Sequence, residues 1–476
     1  MSHIIMNKTI LYLFLFLAAG KIYSQDITGG WAGSLNIQGT SLRLVFNISK
    51  NDTVLVSTMD SPDQGAYGLP TTRTTYSDNK IEIVATGLGI YYRGVLDNDS
   101  ISGTFSQGGI PFPLTLRRST EQVIHRPQTP REPLPYISEE VIITDDPNSE
   151  ISLSATLTLP DSTGVFPAVV LIAGSGPNDR DETVYGHKPF FVISDHLTRN
   201  GFAVLRYDKR GVGKSNGDFG KATINDFVSD ANNAVEYLKS RKEIDSSKIG
   251  LIGHSEGGII APMVAVENDD VKFIVLMAAP ATSGIDIVLD QNENSMKYQK
   301  IEPETIDRIQ ILNREIFESL LKWTGTENDR TALRDKLSYL WEQLPILIKL
   351  KVEKEPYLRA QFNAMITPGY RSFLATNPDD YLSKVSCAVF AINGGNDVQV
   401  QAEKNLMAIK GSVDSGNPNV VTKLYPELNH LFQESITGQP DEYTKIEQTL
   451  SPQVLSDITV WLKRQIDLLS CQKKTY

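Results

Sequence analysis

The segment Gly253-His254-Ser255-Glu256-Gly257 sets a serine between two glycines, directly after the apolar run Lys248-Ile249-Gly250-Leu251-Ile252. The apolar stretch Gly258 to Ala265 follows and reads as a helix. A serine on so sharp a strand-to-helix turn holds strained backbone, and a side chain at Gly253 or Gly257 would collide with the strand or the helix. The turn lifts Ser255 Oγ clear of the sheet and aims the helix N-terminus at any negative charge formed beside it. A serine hydroxyl near its ordinary pKa is a poor nucleophile, so it needs a base, and the base needs an orienting acid.

Six histidines are available: His3, His125, His187, His196, His254 and His430. His3 falls in an N-terminal apolar segment and His125 at the edge of a proline-rich stretch. His254 belongs to the turn itself, with its side chain expected beneath it. His187 and His196 follow the first core strand. His430 is the sole histidine after Ser255, in the loop Glu427-Leu428-Asn429-His430-Leu431-Phe432 beyond a strand, and is the candidate base. The candidate acid is Asp397, in the loop Asn393-Gly394-Gly395-Asn396-Asp397 at the carboxyl end of strand Ala388 to Ile392. Asp379 and Asp380 precede that strand and stand at the wrong end of the sheet. An oxyanion also needs two N–H donors. One is the amide of Glu256; the other is expected from Gly174-Ser175-Gly176-Pro177-Asn178-Asp179, with Ser175 as the donor.

Strands and helices alternate around these residues. Ala168 to Ala173, Ala203 to Tyr207 and Val271 to Ala278 are expected strands, with helices at His187 to Asn200 and Ala222 to Arg241. Glu140 to Thr144 and Ile151 to Leu159 alternate like a hairpin. A helix at Val400 to Lys410, a strand at Asn419 to Tyr425 and a helix opened by Ser451-Pro452 complete the pattern. This predicts a mostly parallel sheet with helices on both faces. A helical stretch interrupts it, with Ile306, Ile309, Leu312, Ile316 and Leu320 at helical spacing, then Leu333, Leu337, Leu340 and Trp341. Placed over the carboxyl ends of the strands, it would form a lid above Ser255. Upstream, Leu42, Leu44, Phe46 and Ile48, then Ile81 and Ile83, Tyr92 and Val95, and Phe112, Leu114 and Leu116 alternate, predicting about seven strands in a small barrel or sandwich.

The expected organisation is a secretory signal over 1–25, an all-β accessory domain over 26–120 and a proline-rich linker over 121–136. The α/β core occupies 137–282 and 381–470, split by a lid over 283–380. The signal rests on the apolar run Leu11 to Gly20 behind Lys8, too short to span a bilayer. It implies export to a periplasm or the extracellular space and no stable membrane insertion. At 476 residues there is ample length for a large core, and 40% hydrophobic with 22% charged residues is ordinary for a globular protein. A net charge of −11 disfavours a nucleic-acid partner, whose binding rests on clustered Lys and Arg. Cys387 in a core strand and Cys471 in a polar tail predict neither a disulfide nor a metal site. Gly213-Lys214-Ser215 is not a phosphate loop, because Asp208 stands where that motif needs glycine. Asp208, Lys209 and Arg210 are instead expected in buried ion pairs, and Asp179 to Glu182 in a solvated or salt-bridged loop.

From about residue 140 to 470 the chain resembles the α/β-hydrolase superfamily. The resemblance rests on the serine turn, the Ser…Asp…His order, Gly174-Ser175-Gly176-Pro177 and Tyr207-Asp208-Lys209-Arg210-Gly211-Val212-Gly213. These look like the exported esterase branch, similar to serine aminopeptidase-like and dienelactone-hydrolase-like enzymes. Many relatives carry His before the first glycine of the oxyanion loop, where this chain has Ala173. Gly30-Trp31-x-Gly33-x-Leu35 is similar to the start of a lipocalin-like barrel. The hydrolase resemblance implies hydrolysis of carboxylic esters through an acyl-enzyme, with no cofactor; the triad and the 283–380 insertion lead us to expect short acyl or acetyl esters on a small-molecule or glycan-linked substrate. Trp323, Trp341, Phe362 and Tyr370 are candidates for an acyl pocket, though most are expected in the lid's own core. A serine peptidase and an inert ligand-binding protein are the alternatives.

Overall fold

The computed structural model describes residues 26–472 except 38–39, 52–53, 63–65, 120–125, 145–149, 351, 415 and 418. The expected signal, His3 and His125 lie outside the described residues. Contacts divide the chain into two compact units, residues 1–123 and 124–476.

The first unit is a curled sheet of nine antiparallel strands: β1 (Gly29–Ile37), β2 (Thr40–Asn51), β3 (Val54–Ser61), β4 (Ala66–Pro70), β5 (Arg73–Ser77), β6 (Lys80–Ala85), β7 (Ile90–Asp97), β8 (Ser100–Gln107) and β9 (Ile110–Arg118). Their order is β4-β3-β2-β1-β9-β8-β7-β6-β5. The far edge returns on itself: Ser57 Oγ lies 2.7 Å from Thr74 Oγ1, and the Thr71 amide donates to the Ser57 carbonyl. Apolar side chains on one face of each strand fill the interior, with Trp31, Phe46, Tyr92 and Phe105 buried. Trp31 Nε1 donates to the Ile27 carbonyl and Tyr92 Oη to that of Ile101, so the two polar tips are satisfied inside an apolar core. Nine strands replace the expected seven because β4, which contains Gly68 and ends in Pro70, and the mostly polar β5 are only five residues each. Val95 is also corrected: Tyr92, Gly94 and Leu96 point inward, which the two-residue period of a strand requires, and Val95 is exposed.

The second unit contains an eight-stranded sheet: β10 (Ile137–Ile143), β11 (Leu153–Leu159), β12 (Phe166–Ile172), β13 (Ala203–Tyr207), β14 (Ile244–His254), β15 (Val271–Met277), β16 (Ala388–Gly394) and β17 (Val420–Tyr425). The order is β10-β11-β13-β12-β14-β15-β16-β17. β11 pairs antiparallel with both β10 and β13, and the remaining pairings are parallel. The central strands are apolar on both faces because both are covered. Val170, Leu205 and Leu251 meet helices α2 (Ile224–Ser240) and α3 (Gly257–Glu267), while Val169, Val204 and Ile252 meet α1 (Pro189–Arg199) and the terminal helix (Pro452–Gln472).

Between β15 and β16 run α4 (Gly284–Tyr298), α5 (Pro303–Leu321), α6 (Glu327–Gln343), α7 (Ile346–Lys349), α8 (Lys354–Met365), α9 (Pro368–Ala375) and α10 (Asp379–Leu382). Ser283, Thr326 and Thr367 cap α4, α6 and α9 through their hydroxyls. These helices have a core of their own, including Trp341 and Phe362, with Trp323 and Tyr370 packed against it. The proline-rich segment is fastened rather than free: Arg126 donates to the carbonyls of Tyr185, Thr444 and Ile446, and Gln128 to that of Leu450.

Candidate active site

β14 ends at His254, and the chain turns at Ser255 with φ +53°, the left-handed backbone that a nucleophile turn imposes. A Cβ on Gly253 would fall 2.1 Å from the Gly257 carbonyl oxygen, and one on Gly257 2.0 Å from that of Ile172. Both obstacles are backbone, so the two glycines are sterically required. Ser255 N donates to the Met277 carbonyl, anchoring the turn to β15.

Asp397 and His430 come from the loops after β16 and β17. The two loops interlock: the Gly395 amide donates to the Tyr425 carbonyl and the Asn396 amide to that of Leu428. Asn429 Oδ1 accepts the amides of Leu431 and Gln433, folding the tight loop that presents His430. Asp397 Oδ1 accepts the amides of Gln399 and Val400, which leaves Oδ2 for His430 Nδ1 at 2.8 Å. Both side chains are buried. The His430 ring stands 4.9 Å, centroid to centroid, from that of His254, the neighbour of Ser255. The structure therefore brings Asp397 and His430 together beside the serine turn.

The loop after β12 runs along Ser255: a Cβ on Gly174 would lie 3.1 Å from Ser255 Cβ. Among the described residues, neither the Ser175 nor the Glu256 amide donates to a protein acceptor. The Ser175 hydroxyl donates to Glu256 Oε2 at 3.3 Å. Glu256 Oε1 pairs at 2.9 Å with the buried Lys209 ammonium.

The Asp179 to Glu182 loop is salt-bridged, the second of the two forms expected for it, and Glu182 is only 4% exposed. Its Oε1 accepts from His254 Nδ1 at 2.9 Å and from the Gly174 amide at 2.7 Å. His254 Nε2 donates to the His430 carbonyl at 3.0 Å. A carboxylate oxygen at Nδ1 and a carbonyl oxygen at Nε2 both offer acceptors, an arrangement that favours the doubly protonated ring. Burial alone would lower the His254 pKa, but the charge and hydrogen bond of Glu182 outweigh it and the net shift is upward. Nothing in the local sequence marks Glu182, since its partner lies 72 positions away.

The remaining charges of this region form the expected ion pairs. Asp208 accepts Arg180 Nη2 at 2.9 Å, and Arg210 spans Asp226 and Asp230. Asp208 is destabilised by burial, but the guanidinium and amide hydrogen bonds prevail and hold its pKa below the ordinary value. Asn294 of α4 donates to the Val398 carbonyl, tying the helical insertion to the Asp397 loop. Among the described residues no cluster of His, Cys, Asp and Glu could hold a metal ion, and no helix is long and apolar enough to cross a membrane.

Strand order, helices on both faces and the serine turn at the carboxyl end of β14 define an α/β-hydrolase fold. A family model described as serine aminopeptidase, S33, matches residues 189–331, which include the serine turn. The chain is 29% identical over 314 residues to the esterase EstD of Thermotoga maritima, covering 65% of this chain and 65% of that esterase. The chain thus spans just under two thirds of that relative's length. It is 23% identical over 310 residues to an uncharacterized 31.7 kDa protein of Escherichia coli, covering 64% of this chain and 97% of that protein. An esterase structure from Pyrococcus furiosus matches at 20% identity and a TM-score of 0.42, over 70% of this chain and 93% of its own.

Proposed function

We infer that this protein is an exported serine hydrolase that cleaves carboxylic esters of short acyl or acetyl groups on a small-molecule or glycan-linked substrate. The observation that carries the reading is the buried Asp397–His430 pair at 2.8 Å, beside a serine held at φ +53°. Similarity to the Thermotoga maritima esterase supports the ester class.

In this mechanism His430 Nε2 takes the Ser255 Oγ proton as the oxygen attacks the ester carbonyl. Asp397 holds the ring through Nδ1 and stabilises the imidazolium that forms. The amides of Ser175 and Glu256 receive the oxyanion. The tetrahedral intermediate collapses, the C–O bond to the alcohol breaks, and His430 returns its proton to the departing alkoxide. Water, deprotonated by His430, then hydrolyses the acyl-serine. His430 then passes the proton taken from water to the departing Ser255 Oγ, so every proton is accounted for and the reaction calls for no cofactor. The helical insertion serves as a lid over Ser255, its α4 held to the Asp397 loop.

The test exposes the wild-type chain and Ser255→Ala to a fluorophosphonate probe and to p-nitrophenyl acetate, butyrate and octanoate. Labelling and turnover lost together in the variant support the reading; labelling that persists in Ser255→Ala overturns it. The serine aminopeptidase description of the matching family model favours a peptidase as the second reading. Turnover of aminoacyl anilides with none of the acyl esters would select it.

A further inference from the structure

The geometry points to Lys209 as a positioning residue that orients both oxyanion donors, an inference that rests on the serine-hydrolase reading above. Lys209 follows β13, and its ammonium is enclosed by Gly174, Glu256 and the Phe227 ring, whose centroid is 4.6 Å from Nζ. Nζ donates to the Gly174 carbonyl at 2.5 Å and to Glu256 Oε1 at 2.9 Å. Asn178 Nδ2 donates to the same carbonyl at 2.8 Å.

The consequence follows from peptide geometry. In a trans peptide the carbonyl of one residue and the N–H of the next point in opposite directions within one plane. Holding the Gly174 carbonyl toward Lys209 turns the Ser175 N–H the other way. The Gly174 amide is fixed separately by Glu182, so the loop cannot rotate to release it. The same ammonium grips Glu256, whose amide is the second donor. One buried cation thereby joins the two segments that must hold the oxyanion. It also offsets the Glu256 carboxylate, which sits one residue from the nucleophile and, unpaired in a water-poor site, would oppose a developing negative charge.

The experiment uses the full chain. Lys209→Met keeps the length of the stem but strands Glu256, so it is paired with the double variant Lys209→Met/Glu256→Gln. The double variant is expected to lose about a hundredfold in kcat while KM moves less than about threefold. Its affinity for a trifluoromethyl ketone, which forms the tetrahedral oxyanion on serine, should fall by the same factor as kcat. A residue that merely packs would not give this parallel. Lys209→Gln keeps an N–H donor and should recover part of the rate; it is judged by the same split if the methionine variants do not fold. Folded variants with wild-type kcat, or a loss borne by KM, would overturn the inference alone. Absence of wild-type turnover on esters and on anilides alike would instead overturn the reading beneath it.

Discussion

His254 Nε2 and the main-chain carbonyl of His430 are joined by a hydrogen bond of 3.0 Å that bridges 176 positions of chain. The residue before the nucleophile therefore holds the backbone of the proposed base, while its other nitrogen binds Glu182, which also holds the oxyanion loop through Gly174. Three segments of the site share one buried carboxylate–imidazole pair.

This pair has a pH signature. The His254 pKa is raised in the fold, so the folded state binds the proton more tightly than the unfolded chain, whose value is near 6.5. Its contribution is present below that value and is lost as pH rises through the raised one. Glu182, Asp397 and His430 are the titratable groups facing the ring. The wild-type thermal midpoint should decline as pH rises above 6.5 through the raised value, and Glu182→Gln should flatten the decline and lower kcat about tenfold or more. Melting curves from pH 6 to 9 with matched kinetics check both; an unchanged slope in the variant counts against the assignment.

The opposite sign applies to His187. Fully buried, it meets Thr449 Oγ1 through Nδ1 and the Tyr443 carbonyl through Nε2, which satisfies a neutral ring. Burial, helped by the nearby Arg126 charge, lowers its pKa from 6.5 to about 4. Stability is then complete above the unfolded value and falls as pH drops toward 4, by on the order of 3 kcal/mol. Denaturant titrations at pH 7 and pH 4.5 should give a smaller difference for His187→Gln than for the wild-type chain.

Asp397→Asn retains an oxygen for the Gln399 and Val400 amides but can present an N–H to His430 where a carboxylate accepted one. The expected result is a kcat lower by about 10⁴ with an unchanged circular dichroism spectrum. A variant retaining more than a tenth of wild-type kcat would remove Asp397 from the proposed triad.

Gly257→Ala drives its methyl into the Ile172 carbonyl, which β12 and β14 hold in the sheet. We expect destabilisation by about 3 kcal/mol or more and loss of fluorophosphonate labelling. Differential scanning calorimetry and probe labelling measure the two effects; retention of both would contradict the tight turn.

Trp341 packs against Tyr357 with ring centroids 5.2 Å apart, inside the core of the helical insertion. Trp341→Ala should destabilise by about 3–5 kcal/mol without changing preference among acetate, butyrate and octanoate esters. A shift in chain-length preference with an intact fold would return this tryptophan to the acyl pocket.

Much of the second unit was legible in the sequence. Apolar runs such as Ala168 to Ala173, separated by stretches of helical period, encode covered parallel strands, because burial on both faces leaves no polar alternation. The serine turn was legible because only glycine fits where a Cβ would fall 2.1 Å from a backbone oxygen. The first unit was less legible: β4, with a glycine and a proline in five residues, and the polar β5 pair through main-chain hydrogen bonds that no side-chain alternation advertises.

The sequence by itself determined the α/β order, the position of the serine turn and the candidates His430 and Asp397, since spacing and residue type express local periodicity and turn sterics. The tertiary structure alone decided which buried charges meet. Glu182 finds His254 across 72 positions, and Lys209 finds Glu256 across 47. The partners of a buried charge are set by where loops from different strands converge at one edge of the sheet. That convergence depends on the packing of the whole unit, and no local pattern records it.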